Sequence, residues 1–298
     1  MSGHHHVPDG SRRLWLAVGV NGLLTIAQIV GGILSGSLSL IADALHNFSD
    51  AVSLIIALVA RKIARRPADD TMTFGYGRAE IVAALINYTT LIVIGLYLVY
   101  EAILRFIEPQ MIEGWLIVVI AGIALVVDLV TAALTYAMSK NSVNIRAAFL
   151  HNVADALGSI AVIVAGSLIL VYDWMIVDPI VTLMIAGYIL WQSFREIGPV
   201  IRLLMLGVPK DIDPSEILEA LAKIDGMESA HHLHVWEIEE GRLSAEAHIV
   251  VTAAEWTEAD RIRQAAKEML EAKFGIGHST LELEHRELLE PKGFLADQ

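Results

Sequence analysis

Six apolar stretches fill residues 14–195 of this 298-residue chain, and no other feature restricts its fold so severely. They read as 14–34, 38–60, 79–106, 115–138, 145–171 and 176–195. Each approaches or exceeds the ~20 residues that a helix needs to cross ~30 Å of hydrocarbon. A core helix of a soluble protein is shorter and amphipathic, so six such runs in succession predict an all-α bundle of six membrane-spanning helices over residues 12–207. A mean hydropathy of +0.57, with 55% hydrophobic residues, agrees. The first run, from Leu14, is long enough to span and is followed by no small-residue cleavage pattern. It is expected to stay as a span rather than be removed as a leader.

Charge sets the expected orientation. With the N-terminus in the cytoplasm, eleven Lys and Arg residues fall inside, from Arg12 and Arg13 through Arg61–Arg78 to Arg195 and Arg202, and Arg105 alone falls near the outer face. That bias predicts a multi-pass protein of the cell's inner (plasma) membrane with both termini cytoplasmic. The formal net charge of −13 is unevenly shared. Through Gly207 there are 12 basic and 14 acidic residues, and beyond it 9 and 20. The acidity belongs to the C-terminal part, which argues against nucleic acid as a partner and suits cations. The chain has no cysteine, so disulfides are excluded and any metal site uses nitrogen and oxygen ligands.

The C-terminal part reads as a small α+β domain over residues 208–290, with short tails at 1–11 and 291–298. Asp213-Pro214-Ser215-Glu216 opens a helix with capping chemistry, Leu218, Leu221 and Ile224 give it an apolar stripe, and Gly226 ends it. Residues 229–238 and 243–252 alternate around Glu239-Glu240-Gly241-Arg242, a hairpin signal. A helix over 257–274 and a strand over 280–284 complete the order α-β-β-α-β, which suits two layers.

Polar residues inside the apolar runs carry the chemistry. The second run holds Asp43, His46, Asn47 and Asp50, at offsets that share one helix face. The fifth holds His151, Asn152 and Asp155, again on one face, so His-Asn-x-x-Asp-Ala occurs twice, on helices predicted to run in opposite directions. At 1.5 Å per residue, His46 lies roughly 12 Å from one end of its helix and Asp155 roughly 15 Å from the other, both near mid-bilayer. An ionised Asp there costs roughly 2.5–3.5 kcal/mol, and two of them weigh heavily against a stability of ~5–15 kcal/mol. A divalent cation would offset this. One His nitrogen and one Asp oxygen from each helix make a four-ligand N₂O₂ shell, the number and chemistry that Zn²⁺ takes. The other reading of one such pair is a hydrogen-bond clamp between helices, which a duplicated pair at matched depth disfavours. Asp43, Asn47, Asp128 and Asn152 are expected to line the path or brace the ligands. For Asn21 and Gln28 this role and interhelical packing stand side by side. A metal-gated channel or receptor would use the same ligands. An intramembrane hydrolase is a poor fit, since the chain has no HExxH, no GxSxG and no cysteine nucleophile.

These residues resemble a known family, the cation diffusion facilitators, which include zinc-efflux antiporters. The resemblance rests on Ser39-Leu40-Ile41-Ala42-Asp43-Ala44-Leu45-His46-Asn47-Phe48-Ser49-Asp50 and Phe74-Gly75-Tyr76-Gly77-Arg78-Ala79-Glu80. It rests further on His151-Asn152-Val153-Ala154-Asp155-Ala156-Leu157-Gly158-Ser159, Val177-Asp178-Pro179-Ile180 and His231-His232-Leu233-His234-Val235-Trp236. It implies a homodimer in the lipid bilayer, a ferredoxin-like cytoplasmic dimerisation and regulatory domain, and export of a divalent metal in exchange for protons. The implied transport site is His46, Asp50, His151 and Asp155, and His at the first position resembles the zinc-preferring version. Cobalt, cadmium or iron would fit the same donors. The resemblance also implies regulatory Zn²⁺ in the tail domain, at His231, His248 and Glu284, with His234 and His278 next. The chain departs from the family pattern in two places. Ser139–Asn144 lacks the His-rich loop of several relatives, leaving His4-His5-His6 as the other histidine run. Leu206 stands where many relatives have an acidic residue.

Overall fold

The computed structural model describes residues 10–139, 143–252 and 255–285, with the side chains of 10–21, 54, 134–135, 137–139, 143–148, 151 and 285 not described. His4-His5-His6 and Asn21 fall outside the described residues and side chains. Two compact units result. One takes the chain up to Ile56 and from Ile86 to Glu196, the other takes Ala57–Leu85 and the chain from Ile197 on.

Six helices carry the apolar runs: α1 (Gly10–Ser35), α2 (Leu38–Ala64), α3 (Ala79–Ile107), α4 (Gly114–Ser139), α5 (Val143–Tyr172) and α6 (Val177–Leu204). Five are long and apolar enough to cross a membrane, and the described part of α1, Gly22–Ser35, is a shorter apolar helix. The bundle inverts the burial pattern of a soluble protein. Leu23, Ile33, Val93, Tyr100, Val126, Leu157 and Trp191 point outward, while Ala42, Ala121, Ala124, Ala165 and Ser159 are fully enclosed. Small residues let helix backbones approach where lipid leaves no hydrophobic force to drive association. Gly114 and Gly166 mark one such approach, since a Cβ on Gly114 would meet the Gly166 carbonyl at 2.6 Å and one on Gly166 would meet Ile117 at 2.8 Å. α6 runs past the expected end at residue 195, through Pro199, to Leu204. Leu206 then takes a left-handed φ of 57° at the turn into the C-terminal domain.

That domain folds as α7 (Pro214–Leu221), β1 (Met227–Glu239), β2 (Arg242–Val251), α8 (Trp256–Phe274) and β3 (His278–His285). The Asp213 side chain accepts a hydrogen bond from Ser215 N and caps α7, and Gly275 ends α8 at φ 70°. The sheet order is β1-β2-β3, with β1–β2 an antiparallel hairpin and β3 parallel to β2 after the α8 crossover. One core, built on Ile217, Leu221, Ile249, Ile262 and Leu270, joins both helices to the sheet. The α2–α3 connection belongs to this second unit. Arg78 donates to the carbonyls of Ile238 (2.9 Å) and Glu237 (3.3 Å) at the end of β1. Phe74 meets the His278 ring edge-on at 5.9 Å. Gly77 sits so close to Glu239 that a Cβ would overlap its side chain.

Candidate metal centres

The first cluster lies on α2 and α5. A spacing of four residues on α2 stacks His46 over Asp50, with His46 Nε2 3.7 Å from Asp50 Oδ2. From α5, Asp155 brings Oδ1 to 3.5 Å from the same nitrogen. The ligand atoms of all three residues lie within 4.8 Å of one another. A tetrahedral ion with bonds of ~2.0–2.1 Å spaces its ligands by about 3.3–3.4 Å, close to both distances. His46 and Asp155 are nearly buried, at 12% and 10% exposure, and Asp50 is more open at 30%. His151 precedes Asp155 by one turn of α5, and its side chain lies outside the described residues. Tyr188 of α6 presents its ring edge-on to His46, 6.4 Å between centroids.

The other polar residues expected here form a braced layer beside the cluster. Gln28 is fully buried and donates to Asp43 Oδ2 at 2.7 Å, while Asn47 donates to Gln28 Oε1 at 3.4 Å. Thus α1 reaches α2 through a hydrogen-bonded amide beside the ligands. On α5, neighbouring residues approach two carboxylates. Ser159 donates to Asp128 Oδ2 at 2.9 Å, and a Cβ on Gly158 would stand 3.3 Å from Asp43 Oδ1. Asn152 is half-buried on the α5 turn before Asp155.

The second cluster lies on the sheet. His231 faces His248 across the β1–β2 hairpin, and Glu284 comes from β3. His231 Nε2 is 3.2 Å from Glu284 Oε2, and His248 Nδ1 is 2.6 Å from Glu284 Oε1. The first distance suits a shared ion. The second is a closed hydrogen bond, which must lengthen before both atoms can bind one. Two residues not singled out as ligands stand beside this cluster. His232 packs its ring 4.9 Å from that of His248, and Glu282 Oε2 is 3.5 Å from His248 Nε2. Strict alternation would send His231 and His232 to opposite faces. A register shift between His231 and His234, with His232 at φ 51°, brings His232 round instead. Glu282 was readable as the residue two before Glu284, on the same face. The structure does not bring His234 or His278 into the three-residue cluster. His234 packs edge-on against His232, and His278 stands at the opposite end of β3, against Phe74.

A polytopic helical bundle with a buried His/Asp cluster, joined to a small α+β domain with a second His/Glu cluster, defines a metal-handling membrane protein. The chain belongs to the cation efflux family: residues 14–205 match its transmembrane domain and residues 209–286 its cytoplasmic domain. It is 35% identical over 281 residues to the metal cation efflux system protein CzcD of Cupriavidus metallidurans, covering 94% of this chain and 89% of that one. It is 36% identical over 287 residues (95% and 92%) to a cadmium, cobalt and zinc/H(+)-K(+) antiporter of Bacillus subtilis. It is 32% identical over 285 residues (94% and 90%) to the zinc transporter ZitB of Escherichia coli. A solved structure of the metal-bound C-terminal domain of the Cupriavidus CzcD transporter is 32% identical, covers 24% of this chain and 99% of its own, and has a TM-score of 0.23.

Proposed function

We propose that this protein is a secondary transporter that exports a divalent transition-metal cation, zinc by first choice, from the cytoplasm in exchange for protons. The observation that carries this reading is the α2–α5 cluster: ligand atoms from His46, Asp50 and Asp155 within 4.8 Å of one another inside a membrane bundle. His151, one turn from Asp155, is the fourth ligand. The relatives' names support the cargo, and the Bacillus antiporter's name supports proton exchange. The ion is substrate here, so the site must both bind and release it.

The donors explain the exchange. Zn²⁺ takes neutral imidazole and ionised carboxylate, so its arrival displaces protons and their return displaces it. Histidine, with a reference pKa of about 6.5, titrates where a cell can use it. Alternating access follows if α2 and α5 move so that the cluster opens to one side at a time. The Asp43–Gln28–Asn47 and Ser159–Asp128 bonds brace this site. The expected frame is residues 12–207 as the transport domain and 208–290 as a cytoplasmic dimerisation and regulatory domain. Both termini are inside, in the cell's inner membrane, and two copies form a homodimer. The sheet cluster of His231, His248 and Glu284 is the regulatory metal site, with Zn²⁺ as its ligand.

A metal-gated channel built on the same ligands would conduct downhill and ignore protons. Purified protein in liposomes separates the two. A transporter drives zinc against its gradient when an opposed pH gradient is imposed, and collapsing the pH gradient stops it. Zinc flux indifferent to the pH gradient would overturn the exchange.

A further inference from the structure

Asp178, in the first turn of α6, has no exposed surface and no part in either metal cluster. Its carboxylate accepts four hydrogen bonds from the beginning of α2. Ser37 Oγ and Ser39 Oγ donate at 2.6 Å each, Leu38 N at 2.8 Å and Ser39 N at 3.1 Å. The first N–H groups of a helix have no partner inside it, and they carry the positive end of its dipole. A side chain 140 residues away in sequence therefore caps α2. Arg105, in the last turn of α3, adds a cation 3.5 Å from Asp178 Oδ2 and also donates to the Gly36 carbonyl. Gly36 itself has φ 70°, and a Cβ there would meet the Met111 carbonyl at 2.7 Å. Glu113 N, just before α4, donates to the Ser35 carbonyl at 2.8 Å. The turn between α1 and α2 is thus tied to the ends of α3, α4 and α6.

The packing of α2 changes along its length. From Ser37 to Ala44 every residue is buried except the half-buried Ile41, whereas Ile55, Leu58 and Val59 are each more than half exposed. One end is held by hydrogen bonds and an ion pair to a buried carboxylate, whereas toward the other end these apolar side chains face outward. We propose that Asp178 is a positioning residue for transport: it pins the start of α2 as a pivot, about which the helix swings His46 and Asp50 relative to Asp155. The lever arm is sufficient. Asp50 lies twelve residues from Leu38, about 18 Å along the axis, so a tilt of about 10° displaces it by about 3 Å. That is enough to break the shared coordination sphere on one swing and restore it on the return.

This proposal rests on the transporter reading, and one experiment separates the two. Asp178→Asn and the double variant Ser37→Ala/Ser39→Ala are reconstituted in liposomes and assayed for proton-driven zinc flux. Zinc affinity is measured in parallel on the detergent-solubilised protein by equilibrium dialysis. The pivot predicts zinc affinity within about twofold of wild type for both variants. It predicts maximal flux reduced by about tenfold in D178N and about threefold in the serine pair, with the half-saturating zinc concentration little changed. Wild-type flux in both variants overturns it, as does loss of affinity in proportion to loss of flux, which would make Asp178 a support of the ligands alone. If D178N does not insert, the serine pair decides, because it removes two hydroxyls and leaves the carboxylate in place. A wild-type protein that moves no zinc fails the transporter reading instead.

Discussion

The two candidate metal clusters are built on different scaffolds, and the difference governs what each is suited to do. In the bundle, His46 and Asp50 share one helix and Asp155 comes from another, at separations of 3.5–3.7 Å. In the sheet, three residues come from three strands, and His248 is already closed on Glu284 at 2.6 Å. Helices can tilt as rods, so a site split between two of them can open without unfolding. A hydrogen-bonded sheet holds its register, so an ion entering there meets a fixed frame and must displace a formed bond. The first arrangement suits a passenger and the second a resident ion.

The largest effect should come from removing a carboxylate of the helical cluster. Asp50→Ala or Asp155→Ala should lower zinc flux by more than the ~10–100-fold typical of losing a ligand's supporting partner, while the protein still inserts. Wild-type flux in either variant would break the comparison at its root.

The domain that frames the sheet cluster has a conventional core, and it should respond as one. Leu270 is fully buried there, so Leu270→Ala should destabilise the C-terminal domain by about 2–5 kcal/mol. Denaturant unfolding followed by Trp236 fluorescence would measure it.

At the sheet cluster itself, His231→Ala or Glu284→Ala should reduce bound zinc by one ion per chain, counted by elemental analysis after dialysis. Flux should change by no more than about fivefold, the low end of coupling between sites. A collapse of flux equal to that of D50A would make the two clusters one functional unit.

The smallest effect concerns the connection between α2 and α3. Asp69 accepts hydrogen bonds from the Thr71 hydroxyl, Tyr76 Oη, and the backbone of Met72 and Thr71, which hold its carboxyl well below the usual aspartate range. A lowered pKa contributes above the ordinary value of about 3.9 and is lost only as pH falls through the lowered one. Trypsin cleavage after Arg65, normalised to the protease's own pH profile, should therefore be flat between pH 6 and 8 in the wild type. In Asp69→Ala it should be modestly faster throughout.

The helical cluster was legible because helix periodicity is regular. Four-residue spacing put His46 and Asp50 on one face of α2, and the repeated His-Asn-x-x-Asp-Ala pointed to the second helix. The sheet cluster was legible only for the residues that obey alternation or were marked by resemblance. His232 joined it through a bulge, which no periodicity announces. α6 outran its apolar stretch, since charged residues at Arg195, Glu196 and Arg202 end hydropathy without ending a helix. The capping of α2 by Asp178 could not be read from spacing, because 140 residues separate donor from acceptor.

The grip of Arg78 on the β1 carbonyls has a consequence for how such a protein can be recombined. Residues 57–85 and 197–298 form one compact unit although residues 86–196 lie between them. A chimaera cut near residue 207 would give Arg78 a foreign hairpin to hold and set Gly77 against a side chain other than Glu239. Exchanging both segments together keeps the fit. What travels intact between relatives is therefore a pair of distant segments, and a splice that respects the chain order alone would divide it.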